Sequence, residues 1–374
     1  MLHYGSRQAI AAVTLILCIL VATGVGLAKE KVNLHYFTWA TGGAADQIRE
    51  DFIEPFEELN PHISIEYEAI SFGQLFDKLV TYHAGGTAPD LMHMSVGYVY
   101  DYAKNGMLLN LQPYFDRDLE PSDFFMEPMM ATRYPTMRES DDLYAIPFAF
   151  VLSTMFYNKT MFDDLGLGYP EKNWSWYDVR NVGKKLVRDI TGDGQPDQWG
   201  FHVNEDYKVF DPILHSFGGR TLDEEFNVAL LEPKSLEAAR FMVNLIFEDQ
   251  VAPPTNVIGS ASAGFREGKI AMILDNISNI SGFRTSCGFD WEAALIPTGP
   301  EKRVVRLWPD SFAISSQSKH PEEAWSYIKF VITQRKMDRY SGERKVPIYK
   351  PLALSKDWLQ PDQKPNKMVF IEST

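Results

Sequence analysis

The chain has 374 residues, 45% of them apolar, and a formal net charge of −14. That composition supports a large buried core and argues against intrinsic disorder. An acidic chain without a basic stripe also argues against nucleic acid as a partner.

Residues 1–28 are set apart, with Arg7 their only charged side chain. The stretch "AIAAVTLILCILVATGVGLA" is an apolar core followed by small residues. Gly26 and Ala28 stand at the −3 and −1 places of a cleavage site. The apolar core is short and interrupted by glycine, which predicts a secretory signal peptide rather than a membrane span. Leu17 precedes Cys18 where a lipid-attachment motif needs a small residue, so no lipid anchor is expected. The expected location after cleavage near Ala28 is periplasmic or secreted. Only Cys287 remains in the mature chain, so no internal disulfide is expected.

The mature chain opens with a strand, "KVNLHYF", and the loop "TWATGG". A helical pattern follows, with Ile48, Phe52, Phe56 and Leu59 on one face and a kink predicted at Pro55. "ISIEY" alternates as a strand. "FGQLFDKLVTYHAGG" reads as a helix closed by glycine, "DLMHM" as a buried strand ending at Ser95, and "VGYVYDYAKNG" as a second closed helix. In the middle, "LSTMFYN", "QWGFHV", "KIAMILD" and "WEAALIP" read as strands. "SWYDVRNVGKKLVRD", capped by Ser175, "SLEAARFMVNLIFED" and "PEEAWSYIKFVIT" read as helices. This alternation predicts an α/β fold of two lobes, each a mostly parallel sheet flanked by helices. No flexible linker separates the halves, so strands crossing between lobes are expected to join them. A ligand would then sit in the interlobe cleft, beyond the strand ends.

Motifs for catalysis are absent. There is no G-x-S-x-G, H-E-x-x-H, C-x-x-C or phosphate-binding loop, and the eight histidines are scattered. Spacing alone leaves open a pair of glycosidase carboxylates brought together by folding. One local motif points to calcium. "DITGDGQPDQWG" sets Asp189, Thr191, Asp193, Gln195 and Asp197 at alternate places with Gly194 sixth, as in the front of an EF-hand loop. Gly200 stands where the bidentate Glu would be, and the alternative is a polar turn closed by Asp and Gly.

Aromatic residues make up 13% of the chain, including eight Trp. Trp291 and Trp325 fall inside elements and read as core. Trp39 and Trp308 fall in irregular stretches, "TWATGG" and "LWPDS", where a strand meets a loop. A flat aromatic face beside Asp and Ser suits a sugar ring, whose faces are apolar and whose rim is hydroxyls.

Together these stretches resemble the extracellular solute-binding proteins, family 1, of ATP-binding-cassette importers, the maltose- and oligosaccharide-binding branch. The resemblance runs through "NLHYFTWATGG", "KLVTYHAGGTAPDLMHMS", "YAKNGMLLNLQPYF", "LYAIPFAFVLSTMFYNKTMFDDLGL", "TGDGQPDQWGF", "AGFREGKIAMILDN", "SFAISSQSKHPEEAWSYIKFV" and "KVPIYKPL", in that order. It implies a two-lobed periplasmic-binding-protein fold of type II. Residues 29–147 and 297–334 would form lobe 1, and 148–296 and 335–374 lobe 2. By position it places Trp39, Ser95, Tyr98, Phe148, Tyr207, Asp275, Asn276, Trp308, Asp310 and Arg344 against the ligand. The segment 204–207 would face it too. "LWPDS" departs from the Gly-rich sequence common there, and the chain ends at Thr374 where the family continues with further helices.

The expected function is a monomeric, non-enzymatic carrier. It would capture a sugar or oligosaccharide by hinge closure and deliver it to the permease subunits of an importer. A binder of another polar solute, such as a polyol phosphate or a polyamine, is the alternative in the same class. A periplasmic glycan-cleaving enzyme is the rival from another class.

Overall fold

A computed structural model describes residues 30–203, 207–225, 227–254, 256–334 and 344–374. The signal peptide therefore lies outside the described residues. The strands are β1 (Val32–Thr38), β2 (Ile63–Ala69), β3 (Leu91–Ser95), β4 (Arg133–Tyr134), β5 (Asp142–Leu143), β6 (Ile146–Asn158), β7 (Trp199–Phe201), β8 (Ile270–Asn276), β9 (Trp291–Ala294), β10 (Leu307–Ile314) and β11 (Val346–Pro347). The main sheet runs β2-β1-β3-β10-β6-β8-β7, with β9 and β11 also pairing β6.

Strand β6 joins the two lobes. Its first half pairs β10, from Ile146 with Phe312 to Leu152 with Leu307. Its second half pairs β8, from Ser153 with Asn276 to Tyr157 with Met272. Leu152 and Ser153 are adjacent, so no unpaired residue separates the two sets. The parallel pairs are β1 with β2, β1 with β3, and β7 with β8. β6 and β10 run antiparallel to their neighbours. Each lobe is therefore mixed rather than mostly parallel, because the connecting strands must run back across sheets that right-handed βαβ units began.

Local chemistry accounts for several elements. The helical run after "TWATGG" is broken: Gly43–Ile48 and Glu54–Leu59 are α-helical, and Arg49–Ile53 between them is a π turn. Pro55 has no N–H to continue the ladder, and the widened turn absorbs the break. The helix Trp176–Leu186 starts with a capping box, the Ser175 side chain accepting from Asp178 N and the Asp178 carboxylate accepting from Ser175 N. That helix lies directly on β7. A Cβ added to Gly200 would sit 2.3 Å from the Gly183 carbonyl oxygen.

Three apolar clusters fill the layers. One, with Phe37, Leu75, Leu79, Met94 and Val99, lies under the lobe 1 helices Phe72–Ala84 and Val96–Lys104. Another, with Trp176, Ile213, Phe241 and Met272, lies under the lobe 2 helices. The third runs from Tyr36 and Trp325 in lobe 1 to Phe283, Trp291 and Phe370 in lobe 2 without a break.

The lobe limits differ from those expected. Residues 148–152 of β6 belong to the lobe 1 sheet. Thr298 bridges Ser175, and Glu301 pairs Lys234 at 3.1 Å, so the chain stays with lobe 2 until Leu307. After Arg344 it is again in lobe 1, where β11 pairs Phe150 and Ala149 and Tyr349 bridges Phe124. Only then does it cross to lobe 2, with Lys364 pairing Asp290 at 2.7 Å and Phe370 lying against Phe156.

Candidate functional site

The site is built where β6 and β10 cross from one lobe to the other. A cavity of about 260 Å³ there is lined by Val151, Tyr207, Asn276, Ser278, Arg306 and Trp308. Trp308 pairs Val151 across β6, two residues along β10 from Asp310. Alternation puts Trp308 and Asp310 on the same face of the strand. Arg306 lies just before β10, held by its carbonyl, which accepts from Ser153 N. Its guanidinium stacks over the Tyr207 ring at 3.8 Å and the Trp308 ring at 4.9 Å. Its Nε lies 3.5 Å from Asp211 of the helix Tyr207–Ser216.

The wall behind Tyr207 is ionic. Asp275 is fully buried at the end of β8. It pairs Lys208 at 3.3 Å, accepts from the Ser262 hydroxyl, and accepts from Asn276 N at 2.8 Å. Both carboxylate oxygens are engaged by these partners. Asp275 thus anchors the helix that carries Tyr207 and does not face a ligand. Asn276 is held by Ser153, whose hydroxyl lies 3.0 Å from its side-chain oxygen.

On the lobe 1 side, β1 and β3 run parallel, so the Trp39 loop and Ser95 emerge at one edge. Trp39 packs on His93 at 4.8 Å and Phe72 at 5.5 Å. His93 is buried between Thr38 Oγ1 at 2.9 Å and Tyr36 Oη at 2.7 Å, using both ring nitrogens. Burial, reinforced by the Lys345 ammonium, holds its pKa well below the ordinary value, so the ring is neutral at pH 7. Ser95 sits opposite Asp310 in the register of β3 with β10, and Asp310 pairs Lys345 at 2.5 Å. The Ser95 hydroxyl is buried with no hydrogen-bond partner among the described residues. Tyr98 is exposed but stacks one face flat on Phe76 at 3.6 Å.

A larger hollow of about 510 Å³ lies among helix residues of lobe 1, including Phe56, Asp118 and Lys329. None of the positions expected from sequence is among the described residues that line it.

Residues 41–337 match the family of bacterial extracellular solute-binding proteins. The chain belongs to that family. A putative binding protein of Brucella abortus is 22% identical over 318 residues, 83% of this chain and 73% of its own length. An arabinooligosaccharide-binding protein of Halalkalibacterium halodurans is 25% identical over 220 residues, 58% of this chain and 47% of that one. The substrate-binding protein Lmo0181 of Listeria monocytogenes, solved in complex with cycloalternan, is similar in structure. It has a TM-score of 0.71 at 24% identity, covering 92% of this chain and 87% of that one. That likeness shows the two-lobed fold.

In this solute-binding protein the structure brings Tyr207, Asn276 and Trp308 together at one cavity. Asp310 lies on the same face of β10 as Trp308 and opposite Ser95, whose side chain is buried, and Trp39 and Tyr98 flank Phe76 as a separate aromatic group on lobe 1. Arg344 is exposed beside Lys345. Two expected residues are corrected. Phe148 is buried, stacked on His93 at 5.2 Å and packed on Phe312, so it belongs to the core. Asp275 anchors the wall, as described above. The rest of the segment expected at the ligand, 204–206, lies outside the described residues.

Sequence reading missed Arg306, Ser278, Lys208 and Lys345. The signal for Arg306 was there: Arg306, Trp308 and Asp310 alternate, as they do on one face of a strand. "LWPDS" reads as an irregular stretch, and Arg306 lies just outside it.

The Asp189–Gly200 loop closes on its own backbone. Asp189 accepts from Gly192 N and Gly194 N, Asp193 from Gln195 N, and Asp197 from Ile190 N and Thr191 N. Those two N–H groups hold the Asp197 carboxyl below its ordinary range. Among the described residues no group of three or more His, Cys, Asp or Glu is placed to hold a metal ion.

Proposed function

We propose that this protein is an exported carrier that captures a saccharide between its lobes and passes it to a membrane permease. The observation that carries the reading is the cavity at the strand crossing. Trp308 and Tyr207 offer aromatic surface there, and Asn276 and Ser278 offer amide and hydroxyl partners. Apolar faces beside polar rims match a sugar ring. The family membership and the saccharides named for two relatives support the same reading. Hinge closure follows from the architecture, because a ligand touching residues of both lobes stabilises the closed form over the open one.

A thermal-shift screen against arabino-, galacto- and maltooligosaccharides and mannitol tests the proposal. A melting temperature that rises with ligand concentration is the expected result. No shift with any saccharide, or release of shorter products on chromatography, would overturn it. The carrier is expected to start at Lys29 in its exported form, unlipidated, and N-terminal sequencing checks that.

A further inference from the structure

Among the described residues, Arg306 is the one charged side chain lining the cavity. Its guanidinium is fixed by the Tyr207 and Trp308 rings at 3.8 and 4.9 Å. The contact with Asp211 runs through Nε alone, at 3.5 Å, to a carboxylate that is itself 35% exposed. Among the described residues, the Nη1 and Nη2 edge has no hydrogen-bond partner. The other cations near the crossing are committed: Lys345 pairs Asp310 at 2.5 Å, and Lys208 pairs Asp275 at 3.3 Å. The cavity wall thus presents a planar, pre-oriented double donor with its forked edge unspent. Beside it stand the Asn276 and Ser278 side chains.

Two neighbouring sugar hydroxyls accept from the two arms of such a fork only as neutral acceptors. A carboxylate accepts two parallel, charge-assisted bonds in the plane of the guanidinium and offsets its charge, so it fits the fork better. Stacking on two rings fixes that plane and lowers the rotamer entropy lost on binding.

Resting on the saccharide reading above, we infer that the ligand carries a planar anionic group, the carboxylate of a uronic-acid residue, held by the Arg306 fork. Asp211 is a competing acceptor at the same guanidinium, so it limits the affinity and its removal raises it.

The test is calorimetric titration of digalacturonate against galactobiose, its neutral counterpart, with galactose 1-phosphate as a third arm. The wild-type protein should bind digalacturonate at least tenfold more tightly than galactobiose. Arg306→Gln should weaken digalacturonate at least tenfold more than it weakens galactobiose, abolishing that preference. Arg306→Lys, which keeps the charge but loses the fork, should lose most of the preference. Asp211→Asn should tighten digalacturonate more than galactobiose. Melting curves confirm that each variant is folded. Equal binding of the acidic and neutral disaccharides, or a preference that survives in Arg306→Gln, overturns the inference and leaves the saccharide reading standing. Binding of the phosphate monoester without digalacturonate overturns the carboxylate assignment. Binding of none of the three overturns this inference, and the neutral-saccharide screen then decides the broader reading separately.

Discussion

Removing the Trp308 indole measures how much of the site rests on aromatic surface. The side chain is 38% exposed. An indole of about 250 Å² then leaves about 95 Å² open, of which one pyranose would cover about half. Burying about 50 Å² of apolar face contributes about 1.2 kcal/mol. Trp308 also holds the Arg306 guanidinium, and loosening that contact costs about 0.5–1 kcal/mol. The sum, about 2 kcal/mol, predicts that Trp308→Ala weakens the best saccharide of the screen by roughly 20- to 40-fold. Titration calorimetry measures the affinity, and circular dichroism confirms folding. Trp325→Ala is the contrast. That indole is buried, and its Nε1–H donates to Asp118 at 2.8 Å. Its loss should cost about 3–5 kcal/mol of stability and leave the affinity of the folded protein unchanged. A folded Trp308→Ala variant with native affinity would show that this Trp supports the scaffold and is no ligand platform.

Gly200→Ala forces a methyl to within 2.3 Å of the Gly183 carbonyl oxygen, with backbone on both sides. The expected cost is about 1–3 kcal/mol or more, read by scanning calorimetry as a fall in Tm of several degrees. Asp118 is held well below the usual carboxylate range by the Arg117 guanidinium, then by the Trp325 and Lys329 donors, against the cost of burial. Its folded pKa lies below its unfolded one. The stability it contributes is therefore present above about pH 4 and lost as the pH falls through the folded value. Asp118→Asn should flatten the acid limb of a Tm-against-pH curve. A calcium chelator should leave Tm unchanged, because the Asp189, Asp193 and Asp197 carboxylates already serve backbone N–H groups of their own loop. A chelator-dependent fall in Tm that Asp193→Ala abolishes would assign a cation to that loop.

Local chemistry was legible in the sequence where each residue's preference agreed with its element. The "DLMHM" strand, the Ser175 cap and the Pro55 break all appear at the expected places. Legibility failed where proline sits inside a strand. Pro147 lies in β6 and Pro309 in β10, each tolerated because the sheet bends or bulges nearby; the β10 register shifts between Asp310 and Ser311. Those two strands carry the lobe junction: the sequence marks β6 only from Leu152 onward and leaves "LWPDS" of β10 irregular. Arg306, just before that stretch, went unseen with it. Phe148 and Asp275 stand close to the ligand positions along the chain, but pairing turns one into the core and the other onto Lys208. Burial of that kind depends on partners distant in sequence, and no local pattern reports it.

The unbroken pairing along β6 also bears on how the molecule comes apart. Residues up to Leu152 are bonded into one lobe, and those from Ser153 into the other. The chain offers no slack residue at which one half could melt and leave its neighbour's central strand intact. An apolar cluster continuous across both lobes points the same way. A single cooperative heat-absorption peak is therefore expected despite the two-lobed shape. Amide protons on both halves of that strand should exchange with one common free energy, that of unfolding the whole protein.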